Sequence, residues 1–205
     1  MSLRDELRRV FGPAALEWGL FYRNAPALRF ELSDEGSYIQ MFTRAYDRAR
    51  EIVAAALPGT GELVIILSRP GGGGFLAHLS AFRALRDCGI RVPRAFESWS
   101  ETTGPEWEHE PRGFLAFTGG REMLIPLLWG AVAADIGIRP RLRCEVYLAD
   151  LARGILVHPY DDRGMDVVGP DHALLRDLHG RFDAWLQEHD RARMDGFFAD
   201  EPPLE

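Results

Sequence analysis

The densest run of reactive side chains in this chain is His158-Pro159-Tyr160-Asp161-Asp162-Arg163-Gly164-Met165-Asp166. It holds an imidazole, a phenol, a guanidinium and several carboxylates. Two chemistries follow from those types. His158 oriented by Asp161 or Asp162 is the pattern of a general base. His158 together with Asp161, Asp162 and Asp166 is a donor set that a metal ion accepts. A structural use competes with both. Asp side chains favour turns because they accept hydrogen bonds from backbone N–H groups just downstream. Pro159 ends ladder pairing at an edge, Gly164 suits a positive φ, and an arginine between aspartates locks a hairpin. Catalytic and metal sites draw residues from separate elements, so the segment is read as structural and no catalytic residue or metal ligand is assigned. His158, Asp161, Asp162 and Asp166 are the residues an enzyme would use.

Other segments offer less. Gly71–Gly74 follows an apolar run and precedes a helical pattern, where backbone N–H groups can hold an anion. The P-loop and dinucleotide spacings are absent, and the role of the run stays open. Cys88 and Cys144 lack zinc-site spacing and are expected to be reduced and buried. His172, His179 and His189 are spaced seven and ten apart, unlike the i, i+4 pair of a zinc-binding helix. Every basic side chain is arginine, which excludes a lysine Schiff base. Nothing implies a cofactor. The stretch from Glu97 to Glu110 interleaves glutamates with Trp99 and Trp107. Acidic residues around aromatics suit a protein-binding surface, with Trp99, Glu101, Trp107 and Glu108 as its contact residues.

Charge narrows the partners. Acidic residues number 31 against 24 basic ones, a net charge of −7. Nucleic-acid binding needs a basic face, and the densest arginine cluster, Arg139, Arg141 and Arg143, is followed by Glu145 and Asp150. No nucleic-acid partner is therefore expected. An acidic surface suits a basic protein partner. No apolar run reaches the ~18–20 residues of a membrane span, and the start is too charged for a secretory leader. A soluble cytoplasmic protein is expected, of unknown oligomeric state.

The elements that must position these groups can be read from periodicity. Ser2 and Asp5 resemble a capping box ahead of a short helix through Leu3, Leu7 and Val10. Leu28, Phe30 and Leu32 alternate with Arg29 and Glu31 as a half-buried strand. Ser33 and Asp34 can cap the next element. Tyr38, Phe42, Ala45, Tyr46, Ala49, Ile52 and Val53 recur at helical spacing, with the aromatics read as core. Leu63–Leu67 reads as a strand covered on both faces. A helix runs through Leu79, Phe82 and Leu85. Residues 93–112 read as an irregular loop. Strands come next near Gly113–Phe117, Arg141–Ala149, Gly154–Val157 and Met165–Val168, with a helix from Ile125 to Gly137. A closing helix carries Leu174, Leu175, Leu178, Phe182, Trp185 and Leu186. The order predicts a single α+β domain over 1–198. It has a mixed sheet, an antiparallel C-terminal meander and packed amphipathic helices, and 199–205 form a frayed tail.

Three stretches carry a family resemblance: Leu28-Arg29-Phe30-Glu31-Leu32, the His158–Asp166 hairpin, and Phe182…Trp185-Leu186…Asp190-Arg191…Met194. Together they resemble the bacterial family called domain of unknown function 3885, from about Trp18 to Phe198. The resemblance implies a bacterial protein and brings no reaction, substrate or cofactor. Its charged positions lead us to expect an ion-pair network of Arg29, Glu31, Asp162, Arg163, Asp190 and Arg191 joining first strand, hairpin and closing helix. The functional expectation is a non-enzymatic protein-binding module, one form being an immunity-type protein that neutralises a basic partner. The alternative is a small hydrolase or metal-dependent enzyme at the hairpin.

Overall fold

The structure is a computed structural model that describes residues 1–13, 15–17, 19–59, 61–71, 75–103 and 110–199. Ser2 opens α1 (Leu3–Phe11), its Oγ accepting from Asp5 N at 3.1 Å. A short turn of helix, α2 (Leu20–Arg23), leads into β1 (Ala27–Glu31). Then comes α3 (Tyr38–Ala56). Its cap is Ser37 with Gln40 in a reciprocal capping box, not Ser33 or Asp34. After β2 (Leu63–Pro70) and α4 (Phe75–Asp87), the chain forms β3 (Glu97–Thr103) and β4 (Glu110–Gly119). α5 (Leu124–Ile136) precedes the meander β5 (Glu145–Asp150), β6 (Ile155–Pro159) and β7 (Gly164–Val168). α6 (His172–Arg181) and α7 (Arg191–Gly196) finish the domain.

The strands form one seven-stranded sheet in the order β1-β7-β6-β5-β2-β4-β3. Every ladder is antiparallel, where a mixed sheet was expected. The helical crossovers do join strands that run the same way, β1 to β2 and β2 to β3. The meander fills the space between the first pair and β4 fills it between the second, so no parallel neighbours remain.

Two further expectations change. Part of the supposed loop at 93–112 is strand: β3 pairs along β4, Trp99 opposite Phe114 and Glu101 opposite Arg112. Its glutamates masked the alternation. The closing helix stops at Arg181. Leu186 instead forms an isolated bridge with Phe30, and Gln187 N donates to Arg29 O at 3.0 Å, which covers the outer edge of β1.

The sheet has two unlike faces. Leu28, Phe30, Met165, Val167, Val157 and Leu148 pack under the helices, with α3 and α5 crossing the sheet and α6 resting on β1. On the other face alternation places Arg29, Asp166, His158, Tyr147 and Arg112. Described parts of the N-terminal segment lie over that polar face: Glu97 accepts from Leu3 N at 2.7 Å, Arg112 Nη1 donates to Leu16 O at 2.8 Å, and Phe21 N donates to Asp166 at 3.3 Å.

Candidate functional site

The hairpin residues do not converge. His158 Nδ1 lies 2.9 Å from Val146 O. A carbonyl only accepts, so Nδ1 carries the proton. The ring stacks on Tyr147 with centroids 4.1 Å apart. Burial holds the imidazole below its ordinary pKa, and the hydrogen bond to Val146 only partly opposes that shift. Asp161, 4% exposed, accepts from Arg163 N at 2.7 Å and from Arg163 Nε at 2.8 Å. Asp162 is pushed up by burial and by the Asp161 carboxylate. Asp166 turns towards Arg29, whose Nε and Nη2 donate to its two oxygens at 2.8 and 3.1 Å. Among the described residues no group of three or more His, Cys, Asp or Glu is placed to hold a metal ion.

Gly164 has no positive φ, contrary to expectation. Its role is space. A Cβ there would stand 2.0 Å from Tyr160 Oη and 2.9 Å from Phe30 O, so glycine lets the phenol lie across the hairpin. Burial raises the pKa of that phenol and Asp166 raises it further.

The charged positions expected to form one network are placed apart. Arg29 and Asp190 do meet, at 3.2 Å, through a clasp whose centre is Asp166. Burial opposes the charge on Arg29, but the hydrogen bond and attraction from Asp166 outweigh it and the guanidinium pKa rises. The guanidinium also lies 4.7 Å over Phe21 and 4.8 Å over Tyr22, and Tyr22 Oη reaches Asp190 at 3.1 Å. Arg163 serves Asp161 rather than Asp162, with Asp135 at 3.7 Å. Arg191 pairs with Asp183 at 2.7 Å and Glu188 at 2.9 Å on the surface. Glu31 is exposed, and its carbonyl accepts from Arg48 at 3.1 Å.

A polar lane therefore crosses the covered face: Arg29, Asp166, His158, Tyr147, Arg112. Arg112 Nη2 donates to Tyr147 Oη at 3.2 Å and pairs with Glu145. Burial pushes the Tyr147 phenol up to about 12 and pulls the Arg112 guanidinium down. Sequence reasoning missed Arg112, Tyr147 and the Phe21-Tyr22 pair because each gains its role only from strands and turns distant in the chain.

The proposed contact residues divide. Trp99 stacks on Phe114 at 5.2 Å. Glu101 pairs with Arg4 at 2.9 Å and Arg8 at 3.0 Å, and Glu97 caps α1. The two glutamates bind the molecule's own N-terminal helix. Trp107 and Glu108 lie outside the described residues, as do Gly72–Gly74, Trp18 and residues 200–205.

A different surface is open. Tyr38 is 72% exposed and Ile39 66%, although the sequence placed the α3 aromatics in the core. Phe42, Tyr46 and Trp129 form a ring cluster with centroids 4.6–5.9 Å apart. Tyr46 and Trp129 join two shallow depressions of 260 and 270 Å³ between α3 and α5. Among the described residues their charged lining is Asp47 and Asp87. Arg50 stands at the side, 5.6 Å over the Tyr46 ring. The aromatic row Tyr38, Phe42, Tyr46 was visible at i, i+4, i+8, but its excess over what the core could take was not.

Likeness to known proteins extends over most of the chain. Residues 3–190 match the family described as domain of unknown function DUF3885, and the chain belongs to that family. No curated protein and no solved structure matches it.

Proposed function

We propose that this family member is a non-enzymatic protein-binding module of the bacterial cytoplasm that seats a basic protein partner on the depression between α3 and α5. An immunity-type role, neutralising that partner, is its concrete form. The carrying observation is that exposed Tyr38, Ile39 and Ile125 accompany the half-buried rings of Tyr46 and Trp129, whose depressions are lined, among the described residues, with acidic but not basic charge. Large aromatic anchors supply most binding energy when a partner desolvates them. Acidic lining and a net charge of −7 favour a basic partner and a fast, salt-sensitive encounter. Two unpaired thiols fit a reducing compartment. Among the described residues no helix is long and apolar enough to cross a membrane.

The hydrolase or metal-dependent reading needed His158, Asp161, Asp162 and Asp166 free around one point. His158 is bound to Val146, Asp161 to Arg163 and Asp166 to Arg29, so nothing supports that alternative.

The test compares the parent with the Ile39→Asp/Ile125→Asp double variant as affinity baits in lysate of the native cell. Both residues are exposed, so the variant folds. The parent is expected to retain one stoichiometric protein of basic pI that raised salt releases, and the variant to retain at least tenfold less. Retention of an acidic protein, equal retention by both baits, or no stoichiometric protein would each reject the proposal.

A further inference from the structure

The five-arginine pocket beside α4 has different chemistry from the α3–α5 depression. It is a cavity of 580 Å³ lined by Arg69, Arg83, Arg139, Arg141 and Arg143, with Asp87 as its only acidic lining residue. The volume lies within the range of small-molecule sites. Such a density of one sign is unexpected in a chain with a net charge of −7.

The fold assembles it from three places. Arg69 ends β2 and its Nη1 donates to Ser80 Oγ on α4. Arg83 and Asp87 are one turn apart on α4 and share an exposed face that borders the cavity. Arg139, Arg141 and Arg143 lie on the irregular segment between α5 and β5, and all three line the cavity. Leu142 is fully buried, and its N donates to Gly130 O at 2.9 Å. A Cβ on Gly130 would stand 2.6 Å from Leu142 Cγ. Glycine at 130 thus lets the arginine strip seat against α5. Arg141 is further held by Ala134 O at 3.0 Å. Arg83, Arg139 and Arg143 have no carboxylate within ion-pair distance among the described residues.

Arg141, Arg143 and Cys144 also line an adjoining cavity of 440 Å³, where Asp135 and Glu145 offset the positive charge. Ser68 lies in its wall, fully buried, with an Oγ that has no hydrogen-bond partner among the described residues. Uncompensated guanidinium groups in a concave wall focus a positive field and match phosphate oxygens bidentately.

We infer that this pocket binds a small anion carrying two or more phosphate groups. Arg83, Arg139 and Arg143, with no carboxylate of their own, are more than one phosphate needs, and the cavity is larger than one phosphate fills. A pocket of this kind also differs from the open basic stripe that tracks a nucleic-acid backbone.

The experiment titrates inorganic pyrophosphate into the full chain by calorimetry at constant ionic strength. Arg83→Glu and Arg143→Glu alter two exposed pocket residues on separate elements. Arg50→Glu alters an exposed arginine outside the pocket. The parent and Arg50→Glu are expected to bind one pyrophosphate saturably, tighter than orthophosphate, and each pocket variant at least tenfold more weakly. Absence of saturable binding, or affinity unchanged in both pocket variants, would overturn the inference. So would a single-stranded oligonucleotide that binds the parent more tightly than pyrophosphate and is lost in the same variants.

Discussion

His158 shows how one side chain changes meaning with its surroundings. In the sequence it stands among carboxylates and reads as a base. In the fold its proton goes to Val146 O and its ring is pressed against Tyr147. Because burial lowers its pKa in the folded chain, the unfolded chain takes up a proton near pH 6.5 that the folded one refuses. The unfolded state then binds more protons, so stability is intact above about pH 6.5 and falls as pH drops below it. Comparing urea midpoints at about pH 7.5 and pH 5.5 checks this. The parent is expected to lose more over that interval than His158→Gln, and an equal loss in both would assign the acid sensitivity to other groups. Cys144 is a matching case of inertness. Burial raises its thiol to about 12, and Cys88 is raised as well, so neither is a nucleophile at neutral pH.

At the scale of elements, β3 and α1 depend on each other. Glu97 offers one carboxylate oxygen to Leu3 N at 2.7 Å and the other to Arg4 N at 3.3 Å, an N-terminal cap supplied from a strand 93 residues away. Its charge also meets the positive end of the helix. Glu101 then holds Arg4 and Arg8 one turn further along. Glu97→Ala is expected to cost about 1 kcal/mol. Hydrogen exchange should show α1 amides opening faster while the β1–β7 ladder keeps its protection. Uniform acceleration across the sheet would show that α1 is not a separate unit. Glu97 and Glu101, two of the glutamates that made this stretch look like a solvated loop, fasten the helix. Similarly, the apolar spacing of Phe182, Trp185 and Leu186 suggested helix, but Leu186 bridges Phe30 and closes the sheet edge. Local period was overridden by an unpaired strand.

Across the whole molecule, the Arg29 clasp joins four parts of the chain: α2 through Phe21 and Tyr22, β1 itself, β7 through Asp166, and the C-terminal segment through Asp190. Asp166 is 2% exposed, so removing Arg29 leaves a buried carboxylate without its counterion. Arg29→Ala should therefore lower stability by about 3–5 kcal/mol. Arg163→Ala should cost less, because the Arg163 side chain is 72% exposed and buried Asp161 keeps the backbone N–H of residue 163. Chemical denaturation of the two variants decides it, and equal losses would move the clasp from Arg29 to the hairpin. Helix periods, the both-face-buried strand at Leu63–Leu67, the C-terminal meander and the α+β class were all legible in the sequence. Each is set by spacing along the chain and by which residues avoid water. Strand order, the polar face under the N-terminal segment and the arginine pocket were not. They arise where side chains tens of residues apart are brought within a few ångströms, and only the tertiary packing decides which charges find partners and which are left facing a cavity.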